Sequence, residues 1–359
     1  YDKNGRYDYT GILNAKTELL QRLYKTTDTA ANAAPSAELD PWIAKNPWIV
    51  NYAVYKNLKD KYAQASWKDW EEKDRHLKDG EIQKRWNAKG AKKAHLFYAW
   101  AQMRAAEQFK AAADAVRALG ITLKGDMPIL MNEDSCDAWA LPGIFNHNLR
   151  AGSPVDGENP TGQNWGFPTY DWNYLKEHKY DWWIERLKSA EQYYGAYRLD
   201  HILGFFRIWE IPTHSVRGLL GRFVPALPYL VDEIEAAGLP FDRDFMTRPF
   251  VNDALLDRLF GERAEWVRRT FLTHSHYDIW HFRPEFATQR AVDDFLRREY
   301  RGRPDEVQIR EGLFALLENV LFVEDPLQRE HYHPRIEGFR TFVFERLNAD
   351  ERKAYESLH

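Results

Sequence analysis

Apolar positions in the first third of the chain recur at the three-and-four spacing of an α-helix. Residues 8–27 carry this pattern. A polar connector with Ala and Pro, DTAANAAPSAELD, covers 28–40. The pattern resumes over 41–118, where Trp42, Trp48, Tyr52, Tyr55 and Leu58 fall at helix-like intervals. The stretch HLFYAWAQMRAAEQFKAAADAVRALG (95–120) predicts a long Ala-rich helix that Gly120 stops. The period then changes, and ITLKGDMPILM (121–131) has strand character. Residues 140–172 are rich in Gly, Pro and Asn and read as a long loop. Its aromatics argue against disorder and for a function. An amphipathic helix is predicted over 174–195, with Trp183, Leu187, Ala190 and Tyr194 as its apolar stripe and Gly195 as its end. AYRLDHILGFF then begins a second strand.

Strand, long loop, helix, strand is a βα repeat of a parallel sheet, most simply part of a (β/α) barrel. Residues 213–319 are again mainly helical, broken by prolines at 225, 228, 240 and 249, and read as an inserted subdomain. NVLFVED (319–325) predicts a short return strand, and 334–359 end in a polar helix. The expected division is a helical segment over 1–120 and central barrel strands with an active-site loop over 121–212. A helical insertion over 213–319 and a return strand with a C-terminal helix over 320–359 complete it. No internal repeat is visible.

Composition narrows the function classes. The chain has 359 residues, 44% of them hydrophobic, with 50 basic and 54 acidic side chains. That balance supplies no basic field for nucleic acid. No apolar run is long enough to span a bilayer, and no signal sequence opens the chain. The single cysteine, Cys136, excludes an internal disulfide framework and fits a reducing cytoplasm. It has no activating base nearby in sequence and reads as a packing residue. Aromatics are abundant, 14 Trp, 19 Tyr and 20 Phe, and such rings pack cores and stack on sugars. The chain opens on Tyr1 rather than Met, as a fragment or processed product would.

The chemistry concentrates in YRLDHILGFFRIWEIP (197–212), where Arg198, Asp200 and His201 interrupt an apolar run. Burying charge is expensive unless it is paired or employed. Strand alternation puts Arg198 and Asp200 on one face, so the guanidinium can hold the carboxylate ionised and fixed. An oriented carboxylate suits attack on a sugar carbon. A buried Arg–Asp pair bracing the barrel fits the pattern equally well. Asp126, in GDMP, is the second acidic residue on a predicted strand. His274 and His276 (HSH) and His331 and His333 (HYH) have no third ligand at a convincing spacing, so no metal and no cofactor is expected. No Gly-rich phosphate loop and no G-x-S-x-G occur.

The stretch AYRLDHILGFFRIWEIP resembles the nucleophile strand of the 4-α-glucanotransferases (amylomaltases or disproportionating enzymes) of glycoside hydrolase family 77. Three further stretches are similar in the same order: AHLFYAWAQMRAAEQFKAAADAVRALGITLKGD (94–126), GDMPILMNEDSCDAWALP (125–142) and GQNWGFPTYDW (162–172). GFPTY and HILGFFRIWE look nearest to the plant cytosolic and related bacterial branch. The resemblance covers about residues 40 to 340. It implies an α/β chain, a partial (β/α)8 TIM barrel of glycoside hydrolase type with a large helical insertion. It also implies a transferase acting on maltose, maltodextrins, and glycogen or starch-like glucans in the cytoplasm. Asp200 would be the nucleophile, Arg198 its orienting partner and His201 a donor-sugar contact. Asp126 would hold the donor ring, and Gln163 and Trp165 would line the sugar cleft. Asp134 and Asp137 read as helix caps.

Two departures stand out. Where simpler members have a Tyr-Phe pair before GQ-x-W, this chain has Gly157-Glu158. The family's GEDLG-like strand, which carries the acid/base Glu, and its HD-x-T-like strand are both absent. Glu324 in VEDPL is the nearest substitute, with Pro326 where the Leu should be and no Gly following. The expectation is therefore an incomplete, inactive piece of a transferase. The alternative is a non-catalytic glucan-binding or scaffold protein.

Overall fold

The computed structural model describes residues 5, 7–78 and 80–359; of the expected opening segment, residues 1–4, 6 and 79 lie outside this description. The chain divides into two compact units, residues 1–145 with 170–200, and residues 146–169 with 201–359. The first six strands are β1 (Lys124–Met127), β2 (Phe145–Ser153), β3 (Gln163–Tyr170), β4 (Ala196–Leu199), β5 (Ile208–Pro212) and β6 (Arg222–Val224).

The first unit is mostly helical. Its long helices are α1 (Tyr9–Tyr24), α2 (Trp48–Lys61) and α3 (Lys92–Ala118). Helix α3 matches the sequence expectation, and Gly120 terminates it at φ 77°, a left-handed conformation that costs glycine least. The single stripe expected from Trp42 to Leu58 is split. Trp42 belongs to the short helix Leu39–Lys45, and Asn46-Pro47 separates it from α2, because a proline ends the preceding turn. Ile49, Ala53 and Val54 of α2 pack with Leu96, Ala99 and Met103 of α3 and with Trp70 and Trp139. Asp74 is buried in this unit and bonded by Lys61 at 2.6 Å, by Tyr62 at 2.6 Å and by Arg85.

The predicted helix over 174–195 is two helices, Trp172–Glu177 and Asp181–Glu191. Lys179 and Tyr180 take φ of 54° and 57° between them, and the Tyr180 amide donates to the Leu175 carbonyl at 2.8 Å. Of the expected stripe only Trp183 is buried. Strands β1 and β4 pair in parallel, Lys124 opposite Ala196 through Met127 opposite Leu199. This is the first unit's two-stranded sheet.

In the second unit, β3, β2, β5 and β6 form a four-stranded sheet in that order. The long loop expected over 140–172 is thus a hairpin. FNHNLRAGS and QNWGFPTY are too polar and Gly-rich to read as strands, yet β2 pairs antiparallel with β5 and so gains its place from tertiary partners. Besides β6, the segment expected to be a helical insertion contains the strands β7 (Tyr229–Leu230), β8 (Val251–Asn252), β9 (Leu272–His276) and β10 (Ile279–Phe282). Helices α4 (Asp253–Phe260), α5 (Ala264–Phe271) and α6 (Glu306–Leu317) bury Leu256, Phe260, Val267, Phe271, Leu313 and Phe314. Gly312 allows α6 to meet α4 closely, since a Cβ there would stand 2.5 Å from the Phe260 ring. The expected return strand is β11 (Phe322–Glu324), which pairs antiparallel with β12 (His331–Pro334). The C-terminal helix α7 (Ala349–Ser357) is capped by Asn348 and buries Tyr355.

Candidate active site

Asp126, Arg198 and Asp200 meet in the first unit. Asp126 is the third of the four residues of β1 and stands in register with Arg198 on β4. Beyond β4, the Asp200 amide donates to the Met127 carbonyl at 3.1 Å, which carries the pairing one step further and fixes Asp200 just past the strand's end. The guanidinium of Arg198 then bridges the two acids. Its Nη1 donates to Asp126 Oδ2 at 2.5 Å and its Nη2 to Asp200 Oδ1 at 2.8 Å. Strand alternation correctly places Arg198 and Asp200 on one face. The expectation of burial is corrected: side-chain exposures are 59% for Asp126, 56% for Arg198 and 50% for Asp200. Ion pairs this exposed contribute about 0–1 kcal/mol to stability. A structural brace is therefore a poor description of them. The arrangement presents a half-exposed carboxylate with Oδ1 held by Arg198, at the carboxyl end of a parallel strand pair.

Gln163, Trp165 and His201 meet in the second unit. Gln163 opens β3, and its Oε1 accepts from Trp165 Nε1 at 2.9 Å. Gly166, at φ 77°, turns the backbone behind Trp165, and its amide donates to Asn164 Oδ1 at 2.9 Å. His201 takes a left-handed conformation (φ 50°, ψ 48°) at the start of the turn Ile202–Phe205. Its ring stands edge-to-face on Trp165, centroids 5.0 Å apart and planes at 89°. Leu203 and Phe206 nearby in sequence are 70% and 74% exposed. An amide bonded to an indole that in turn meets an imidazole offers hydrogen bonds and an apolar face together, the combination a sugar ring needs.

The remaining candidates separate. Glu324 pairs with Arg243 at 3.0 Å. The Glu330 amide and then Arg243 hold its carboxyl below the usual range, the opposite of what a proton donor requires. Asp134 and Asp137 do not cap the helix Cys136–Ala140; the Ser135 side chain does, accepting from the Ala138 amide. Asp134 instead accepts from Lys59 Nζ at 2.8 Å and Tyr55 Oη at 3.1 Å. Burial pushes the Asp137 carboxyl and the Cys136 thiol up. Among the described residues no three His, Cys, Asp or Glu gather as a metal site. His274 Nε2 bonds the Tyr277 carbonyl at 2.7 Å and His333 Nε2 bonds Asp325 Oδ2 at 2.8 Å. No described helix is long and apolar enough to cross a membrane.

Two features were not anticipated from sequence. The first unit contains a cavity of about 870 Å³ walled by aromatics such as Trp48, Tyr52, Tyr174 and Trp182, with Asp126 among its lining residues. Its residues are scattered from 47 to 194, so no local pattern marks it. The second unit buries a linked set of ionisable groups, Glu210, Arg222, Asp325 and His333. The glutamate in the apolar strand IWEIP was the available signal for the second feature.

A family model described as 4-alpha-glucanotransferase, glycoside hydrolase family 77, matches residues 1–304. The 4-alpha-glucanotransferase DPE2 of Oryza sativa subsp. japonica is 30% identical over 365 residues, covering 98% of this chain and 37% of that protein. The 4-alpha-glucanotransferase of Thermus thermophilus is 33% identical over 236 residues, covering 62% of this chain and 45% of that protein. The chain thus spans less than half the length of either relative. Among solved structures, the amylomaltase from Streptococcus agalactiae in complex with acarbose is similar in fold, with a TM-score of 0.54 at 16% identity. That likeness covers 98% of this chain and 79% of the other. With the family model matched over most of its length, this α/β chain belongs to the 4-alpha-glucanotransferases of glycoside hydrolase family 77.

Proposed function

We propose that this chain is the nucleophile-bearing part of a cytoplasmic 4-α-glucanotransferase that moves glucosyl or maltosyl units between α-1,4-glucans. Maltose and maltodextrins are its donors, and glycogen or a starch-like glucan its acceptor. The observation that carries the reading is the half-exposed Asp200 carboxylate, held by Arg198 at the carboxyl end of a parallel strand pair. In this reading β1 and β4 are strands of a (β/α)8 barrel, and 213–319 is an insertion in it.

Asp200 attacks the anomeric carbon of the donor, and the glycosidic C–O bond breaks as the ester to Asp200 forms. The departing oxygen takes a proton from a second carboxylic acid about 5 Å away. An acceptor hydroxyl then displaces Asp200 and returns its proton to that second group. Arg198 holds and aims Asp200, Asp126 holds the donor ring, and Gln163, Trp165 and His201 contact the sugars. Glu324, paired with Arg243, is a poor second carboxyl. The 359-residue chain alone is therefore expected to bind maltodextrin and to turn it over little or not at all.

The test is glucose release from maltose, with and without glycogen, run beside maltoheptaose binding. Binding without turnover is expected. Transfer that Asp200→Asn abolishes would establish the nucleophile and overturn the expected inactivity. Absence of binding by folded protein would overturn the glucan reading itself.

A further inference from the structure

Glu210 is an anomaly in its own strand. Its neighbours Ile208, Trp209 and Ile211 are buried, and so is its carboxylate, which is 3% exposed. In register it faces Ala151 of β2 on one side and Arg222 of β6 on the other. It accepts hydrogen bonds from the side chains of Thr169 on β3 and Asn146 on β2, and Asn146 Nδ2 also donates to Thr169 Oγ1 at 3.2 Å. Arg222 Nη2 lies 3.8 Å from Glu210 Oε2, and its Nε lies 3.5 Å from Asp325 Oδ2, which His333 also bonds. One carboxylate thus ties β3 to β5 across the intervening β2 and links both to β6.

The two strands it ties lead to the Trp165–His201 contact. Thr169 lies four residues after Trp165 along β3, about 13 Å of extended chain. Glu210 lies on β5, nine residues after His201. The rings meet at one end of these two segments, and Thr169 meets Glu210 at the other. A buried ionic network is seldom the most stable filling for a core, but it fixes register well. An edge-to-face pair of rings depends on its separation and tilt, so a shift between β3 and β5 is felt there first.

We propose that Glu210 is a positioning residue for the Trp165–His201 pair, acting through its ties to Thr169 and Asn146. For sugar binding the inference rests on the glucan reading above; for ring geometry it does not.

The experiment is NMR of full-length chain carrying histidines labelled with 13C at Cε1. The His201 signal is assigned by His201→Gln, and its displacement by the indole is calibrated by Trp165→Leu. In Glu210→Gln, which keeps shape and removes charge, the His201 signal should move at least half of the way to its Trp165→Leu position. His274 and His276, on the β9–β10 hairpin, should stay in place. Maltoheptaose affinity should fall about fivefold, the scale of one lost ring contact. Thr169→Val cuts the tie from the β3 side with Glu210 and Arg222 intact. It should give the same displacement, and it serves if Glu210→Gln does not fold. A folded variant of either kind with the His201 signal unmoved would overturn the proposal. Displacement of His201 in protein that binds no maltoheptaose would leave the positioning role standing and remove the glucan reading instead.

Discussion

Asp126, Arg198 and Asp200 leave half or more of their side-chain surface in water, whereas Glu210, Arg222, Asp325 and His333 leave a tenth or less. Both sets consist of acids arranged around an arginine, and Asp200 of the first and Glu210 of the second are only ten residues apart along the chain. Their energetics are opposite. Exposed charges cost little to keep and stabilise little, so they are available to a ligand. Buried charges are costly to desolvate and must satisfy one another, which makes each member hard to remove. The difference in burial therefore separates a group left open to a ligand from a group placed to hold others.

The largest test of that difference is Asp325→Ala. Burial alone would raise this carboxyl. Hydrogen bonds from His333 and from the Leu327 and Gln328 amides, together with Arg222, hold it below the usual range. Deleting it leaves Arg222 and His333 buried without their common acceptor. Urea unfolding at pH 7 should show a loss of about 3–5 kcal/mol. A loss under about 1 kcal/mol would mean that the buried set is not a set at all.

The Arg198–Asp200 pair was legible in the sequence, though its exposure was not, and the buried set was not legible at all, for a physical reason. Arg198 and Asp200 are two residues apart, and strand alternation alone brings them together. Gly120 likewise marks the end of α3 because its left-handed φ is a local requirement. The members of the buried set lie at 210, 222, 325 and 333, with partners at 146 and 169, and only tertiary pairing assembles them. The same holds for the hairpin of β2 and β3, whose residues are poor strand formers held by β5. It holds again for the break at Lys179 and Tyr180, which neither Gly nor Pro announces.

Asp74 gives an intermediate effect in the other unit, and a dependence on pH. Burial would raise it, but Lys61, Tyr62 and Arg85 outweigh that and bring it from 3.8 down to about 2. A carboxyl lowered in the folded state stabilises fully above its unfolded pKa and loses that contribution as pH falls through the folded one. The shift corresponds to about 2 kcal/mol. Asp74→Asn should therefore cost about 2 kcal/mol at pH 7 in urea unfolding, and the gap to the parent should close between pH 4 and pH 2. A gap independent of pH would place the effect in packing rather than charge.

Arg198→Ala should produce the smallest loss of stability and is the sharpest probe of the comparison. Both of its ion pairs are short, at 2.5 and 2.8 Å, and by geometry alone they look stronger than the 3.5 and 3.8 Å contacts of Arg222. Exposure reverses that ranking, because water takes over most of what the guanidinium supplies to Asp126 and Asp200. The unfolding free energy should change by no more than about 1 kcal/mol, while Arg222→Ala changes it several-fold more. Asp126 and Asp200 would then face each other across the same strand pair without their shared cation. If Asp200 takes part in sugar binding as proposed, maltoheptaose affinity should fall in Arg198→Ala while the melting curve barely moves. A large loss of stability from Arg198→Ala would return the cluster to the role of a brace and remove the strongest support for Asp200 as nucleophile.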